Sequence, residues 1–70
     1  MDTNKKFKKT LGLNIKNKRR DMGLSQVGLA KTAKIERSYL GKIERGLGNP
    51  SLAKLLAIAK SLKTDLKKLF

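Results

Sequence analysis

At 70 residues the chain suffices for one small domain, which at that size buries only about 60% of the surface its unfolded form exposes, so a large enclosed active site is not expected. It has no Cys and no His, which removes disulfides, thiolate nucleophiles, zinc clusters and the commonest general base; the five acids (Asp2, Asp21, Glu36, Glu44, Asp65) are scattered singly, so no catalysis, metal or cofactor is expected. Eighteen Lys and Arg give a net charge of +13, which calls for a polyanionic partner without deciding between DNA, RNA, an anionic membrane and an acidic protein.

The N-terminus, MDTNKKFKKT, is basic but leads into no apolar run of signal-peptide length, and no segment approaches the roughly 20 apolar residues of a membrane-spanning helix. A cytoplasmic protein is the expectation. Phe7, Leu11, Ile15 and Met22 recur at helical spacing and predict a first helix over residues 4–22, with Gly23 as its stop; residues 1–10 are either a basic extension or the start of that helix. Leu13 lies off the stripe, and Lys5, Lys6, Lys8 and Lys9 read as a solvated face, with a flexible arm or phosphate contact as the alternative.

Ser25 is a natural cap for a short second helix in which Val27, Leu29, Ala30 and Ala33 keep a helical period. A third helix follows over residues 36–45, after a turn of only three or four residues, so the two must cross steeply in a helix-turn-helix. GLGNP ends it with two Gly, an Asn and the only Pro of the chain. Ser51 caps a fourth helix that carries Leu52, Leu55, Leu56, Ile58, Ala59 and Leu62 and is expected to be the core pillar. Asp65 can cap a last turn bearing Leu66, Leu69 and Phe70. No strand pattern, repeat or linker is present, and residues 1–70 are read as one all-α domain.

Spaced about 100° apart, Glu36, Tyr39, Leu40 and Ile43 fall on one side of the third helix and are expected to pack inward. Arg37, Ser38, Gly41, Lys42 and Arg45 fall on the other. That face is either simply solvated or built to enter a groove. Gly41, near the middle of the arc, favours the groove, because an interior Gly costs about 1 kcal/mol against Ala and a solvated position has no use for it. The major groove of B-DNA admits a helix only where bulk is limited.

The run QVGLAKTAKIERSYLGKIER, with GLS before it, so that SQ opens the helix, and GLGNPSLAKLLAIAKSL after it, closely resembles the Cro/C1-type, or xenobiotic-response-element, helix-turn-helix family over residues 11–70. The ERSYLGKIERG segment looks most like controller proteins of restriction-modification systems, with phage repressors and antitoxins using similar text. The resemblance implies a compact five-helix, lambda-repressor-like fold and a homodimeric transcriptional regulator on a partly palindromic double-stranded operator, with no membrane or small-molecule partner. It implies that Gln26 meets a phosphate and braces the first groove-facing side chain of the third helix; Arg37 is the first candidate for reading a base, Ser38 can donate to a base or a phosphate, and Lys42 reaches guanine or phosphate. Arg45 and Asn49 are expected on the phosphate backbone, and Tyr39 there through its hydroxyl while its ring packs on the core. Arg19 and Glu44 resemble a buried structural pair, and Leu66, Leu69 and Phe70 are either the last layer of the core or a dimer seam. Lys34 stands where the family usually has Gly, which demands either positive φ or a different turn, and Gly28 replaces a frequent Glu, weakening the second helix.

Two other classes carry the same charge. A lipid-binding amphipathic protein would need exposed aromatic or Leu faces, and the chain has one Tyr, two Phe and no Trp. A protein- or RNA-binding adaptor could share the fold, because function lives in the site; so few aromatics argue against single-strand stacking.

Overall fold

The computed structural model describes residues 3–70, in which four α-helices, Thr3–Asp21 (α1), Gln26–Ala33 (α2), Arg37–Glu44 (α3) and Leu52–Ser61 (α4), are followed by a 3-10 helix, Leu66–Leu69. The basic residues from Lys5 to Lys9 are therefore the opening turns of α1. A five-helix fold was the expectation; the last segment is only 4 residues long and winds as 3-10. Asp65 precedes it without a side-chain cap bond, so nothing there nucleates a longer α-helix.

The helices stop by one shared device. Gly23, Lys34, Gly46 and Lys63 each adopt positive φ, at 72°, 59°, 78° and 54°. After each of them the next N–H reaches back five residues: Leu24 to Arg19 O (3.0 Å), Ile35 to Ala30 O (2.9 Å), Leu47 to Lys42 O (2.9 Å) and Thr64 to Ala59 O (3.0 Å). This closure satisfies carbonyls that the helix end leaves without partners and turns the chain sharply. Lys34 thus takes the left-handed conformation in the α2–α3 turn despite its side chain. Starts are set by Ser25 and Ser51, whose Oγ atoms accept from Gly28 N (3.0 Å) and Lys54 N (3.2 Å).

Leu11 and Ile15 of α1, Leu29, Ala30 and Ala33 of α2, Leu40 and Ile43 of α3, and Leu55, Ile58, Ala59 and Leu62 of α4 form one core, closed by Leu69. α1 packs on α3 and α2 on α4, while α2 and α3 cross as the helix-turn-helix. The crossing of α1 over the end of α3 depends on two glycines. A Cβ on Gly12 would overlap the Ile43 carbonyl oxygen and come within 2.7 Å of that of Glu44, and one on Gly46 would press on Lys9 Cα at 3.0 Å. Backbone therefore lies on backbone, and the height of α3 above the core is set there.

Several apolar assignments need correction. Val27 is exposed, because it precedes the core face of α2 by half a turn. On α4, Leu52 is 63% and Leu56 51% exposed, since α2 covers only the face carrying Leu55, Ile58, Ala59 and Leu62. Leu69 is 2% exposed and belongs to the protomer's own core, which withdraws it from any seam; Asn14 Nδ2 holds its carbonyl at 2.8 Å. Phe70 remains exposed and stacks on the exposed Phe7, ring centres 4.7 Å apart. Leu66 is half-buried.

Candidate nucleic-acid interface

The steep α2–α3 crossing leaves one side of α3 uncovered. Arg37, Ser38, Lys42 and Arg45 are exposed there, while Leu40 and Ile43 are buried and Tyr39 is half-buried against the core. Glu36 departs from expectation: it caps α3 in an extended conformation and is exposed, with no side-chain cap bond. Its carboxylate stands beside the first turn, where the helix dipole favours it.

Gly41 departs further. It is buried, not open to solvent, because the start of α2 leans over it and Arg45 folds back along the helix. A Cβ there would stand 3.8 Å from Arg45 Nη1 and 3.9 Å from Gln26 Oε1, ordinary contact distances. A helical wheel of α3 alone does not include α2, so the wheel put Gly41 at the centre of an open face. The missing side chain makes room first for Gln26 and Arg45.

Gln26 is the centre of a polar chain. Arg19 Nε donates to Glu44 Oε2 at 2.7 Å and Arg19 Nη2 to Glu44 Oε1 at 3.0 Å; Arg19 Nη1 donates to Leu24 O at 2.8 Å. Gln26 Nε2 donates to the same Glu44 Oε1 at 3.0 Å, and Gln26 Oε1 accepts from Arg37 Nη1 at 3.3 Å. The ion pair is buried, with side-chain exposures of 9% and 2%, and no buried side-chain polar atom among the described residues lacks a partner. Charge inside this domain is tolerable because both carboxylate oxygens are met by donors, Oε1 by two and Oε2 by one. Gln26 is half-buried, its oxygen and one N–H committed within the protein, so a phosphate could take only its second N–H.

Beyond α3, Lys8 Nζ donates to Asn49 Oδ1, so the start of α1 is tied to the loop before α4. Ser51 Oγ takes the Lys54 N–H, while the amides of Leu52 and Ala53 have no carbonyl one turn behind them. Lys8, Asn49 and this helix start make a second basic, donor-rich edge. Lys8 was read as part of a solvated cluster, with a flexible arm or phosphate contact as the alternative; no local signal links positions 8 and 49. Gly12 could have been found, since an interior helix Gly is the signal that singled out Gly41.

Electrostatically the exposed side of α3 is positive. Of the described acids, Glu44 is buried and paired, while Asp21, Glu36 and Asp65 are exposed. Among the described residues no cluster of three or more His, Cys, Asp or Glu side chains is assembled, and no helix is long and apolar enough to cross a membrane.

Two short helices crossing on a reversed turn, the second with an uncovered basic side, define a helix-turn-helix protein. Residues 15–69 match the helix-turn-helix family HTH_3, and the chain belongs to that family, of the Cro/C1 type. It is 37% identical over 63 residues to the control protein C.SmaI of Serratia marcescens, covering 90% of this chain and 75% of that one. It is 49% identical over 53 residues to the immunity repressor protein of Bacillus phage phi105, covering 76% of this chain but spanning only 37% of the repressor's length. Among solved structures, the restriction-modification controller protein C.AhdI of Aeromonas hydrophila superposes with a TM-score of 0.87 at 36% identity, covering 90% of this chain and 96% of that one. The biofilm master regulator SinR, in complex with DNA, superposes at 0.80 with 37% identity, covering 84% and 95%.

Proposed function

We propose that the protein is a transcriptional regulator that binds double-stranded DNA sequence-specifically as a homodimer, placing the exposed side of α3 in successive major grooves of a partly palindromic operator. The observation that carries this is the uncovered set Arg37, Ser38, Lys42 and Arg45 on the second helix of a helix-turn-helix, in a chain of net charge +13. Arg37 reads guanine through paired bonds to O6 and N7. Ser38 reads a base beside it, and Lys42 reaches guanine or phosphate. Arg45, Asn49, the hydroxyl of Tyr39 and the second N–H of Gln26 hold the backbone and fix the register.

A second copy of the chain covers Leu52, Leu56 and Phe70, which the protomer leaves exposed. Two-fold pairing would present the two α3 helices about 34 Å apart, to half-sites one helical turn apart. Control of a restriction-modification system is the role we favour, with the protein acting on its own promoter. Similarity to two proteins of that kind extends over 75% and 96% of their lengths. Operator binding in the manner of a phage repressor is the second reading, supported by 49% identity to one.

The test is binding to the duplex upstream of the protein's own gene against random duplex at two salt concentrations, with anionic vesicles and a structured RNA in parallel. Preference for the upstream duplex, weakening steeply with salt, is the expected result. Equal binding to both duplexes, or stronger binding to lipid or RNA, overturns the proposal.

A further inference from the structure

We propose that the concavity between the C-terminal ends of α2 and α4 is a second anion site, which takes a compact ligand bearing two or more linked phosphates. It lies apart from the surface proposed above to meet DNA and does not depend on that function. α2 and α4 begin at Gln26 and Leu52, beside the groups assigned there to the DNA backbone. Their far ends, about 12 Å and about 15 Å further along, converge on a concavity of about 430 Å³ lined by Lys34, Lys60, Lys63 and Ser61.

Among the described residues only Lys34 and Lys63 hold a side chain at positive φ, and both line this one concavity. A glycine would make either turn without strain, as Gly23 and Gly46 do behind α1 and α3. The helix dipole does not account for the choice. It favours a cation in the last turn, and Lys31 of α2 and Lys60 of α4 already stand there on ordinary helical backbone. Two lysines therefore occupy strained positions that a helix end does not require, and they share one concavity with a third. Among the described residues no acid lines it and none of the three lysines forms an ion pair; Asp65, two residues from Lys63, is exposed and makes none. Crowded like charges raise the energy of the empty site, and a multiply charged anion relieves it.

The ligand class follows from the donors. Lysine ammonium groups are compact point charges without the planar fork of Arg, suited to phosphate oxygens approached from several directions. Thr32 Oγ1 donates to Gly28 O at 3.0 Å, which leaves the Ser61 hydroxyl as the neutral side-chain donor. No aromatic ring among the described residues lines the concavity to stack on a base, so the phosphates themselves are the recognised group.

Calorimetric titration with sodium triphosphate at constant ionic strength, with sodium sulfate as the control anion, tests this on the wild type, the double variant Lys34→Gly with Lys63→Gly, and Lys60→Gln. Both glycines relieve positive φ, so the double variant is expected to fold at least as well as the wild type, which circular dichroism checks. Lys6→Gln with Lys67→Gln, exposed and off the concavity, removes the same charge elsewhere. One triphosphate per chain is expected, bound at least about tenfold more weakly by the double glycine variant and about threefold or more by Lys60→Gln, with the charge-matched variant within about twofold of the wild type. Saturation with random duplex should leave the triphosphate titration unchanged, because the site is at the far end of α2. No binding by the wild type, sulfate bound as tightly as triphosphate, or equal weakening in the glycine and charge-matched variants overturns the proposal. Displacement of triphosphate by duplex overturns it as well, since the ligand would then sit on a nucleic-acid surface.

Discussion

Arg19 and Glu44 meet through two parallel hydrogen bonds, Nε to Oε2 at 2.7 Å and Nη2 to Oε1 at 3.0 Å, which fasten the last turn of α3 to α1 inside the protein. Gly12 brings the two backbones close at the same place. The helix proposed to enter the groove is therefore fixed at its C-terminal end by charge and close packing together, while Arg37 and Ser38 at its start stay exposed.

Removal of one partner of this pair leaves an uncompensated charge in a dry setting. Arg19→Ala or Glu44→Ala should each lose about 3–5 kcal/mol, enough to unfold much of a small domain at ambient temperature. The double substitution Arg19→Met with Glu44→Leu should be more stable than either single one. Urea denaturation of the four proteins decides this; single losses under about 1 kcal/mol would mean that water reaches the pair.

Gly12 and Gly41 should respond oppositely to the same change. Gly12→Ala drives a methyl into the carbonyls of Ile43 and Glu44 and should cost about 1–3 kcal/mol, or roughly 4 °C or more in Tm. Gly41→Ala meets only ordinary contacts at 3.8 and 3.9 Å and should gain up to about 1 kcal/mol from helix propensity. Thermal unfolding of both variants is the measurement.

A larger side chain at Gly41 has no room beneath Gln26 and Arg45. Gly41→Leu should fold, displace both side chains and bind DNA at least about tenfold more weakly, whereas Gly41→Ala should bind nearly as the wild type. Unchanged affinity for the Leu variant in a gel-shift titration would leave Gly41 without a function.

Lys34 pays for its left-handed backbone at φ 59° in the α2–α3 turn. Lys34→Gly relieves about 1–2 kcal/mol of strain while adding about 0.5–1 kcal/mol of backbone entropy, so a net gain of about 0.5 kcal/mol is expected. A fall in Tm would show that the lysine makes up the difference through the helix C-terminus.

Arg37→Ala should relax sequence preference, while Arg45→Ala should weaken all duplexes alike and lower the salt slope by about one. Equal losses of specificity from both would show that base and backbone contacts have been sorted wrongly.

Much of this was readable in advance where the cause is local. Caps at Ser25 and Ser51, the stop at Gly23 and the apolar period of α2 to α4 act within a few residues, and each is visible as a short pattern, whereas at Lys34 a reversed turn and a different turn both stayed open until the structure gave φ 59°. Asp65 marks where such patterns fail, because its side chain makes no cap bond and only a 3-10 turn follows it.

The sequence by itself determined an all-helical chain, the α2–α3 crossing, the basic side of α3 and a large positive field, since residue spacing and charge are properties of the chain before it folds. Only the tertiary structure decided that Leu69 lies in the core while Leu52 and Leu56 do not, that Lys8 reaches Asn49, and that Gly41 is roofed by Gln26. The physical reason is that burial on a helix depends on which neighbour lies against it, and hydrogen bonds between Arg19, Glu44, Gln26 and Arg37 join positions up to 25 residues apart. A periodicity records that a face is apolar or polar; what covers that face is set by the other helices.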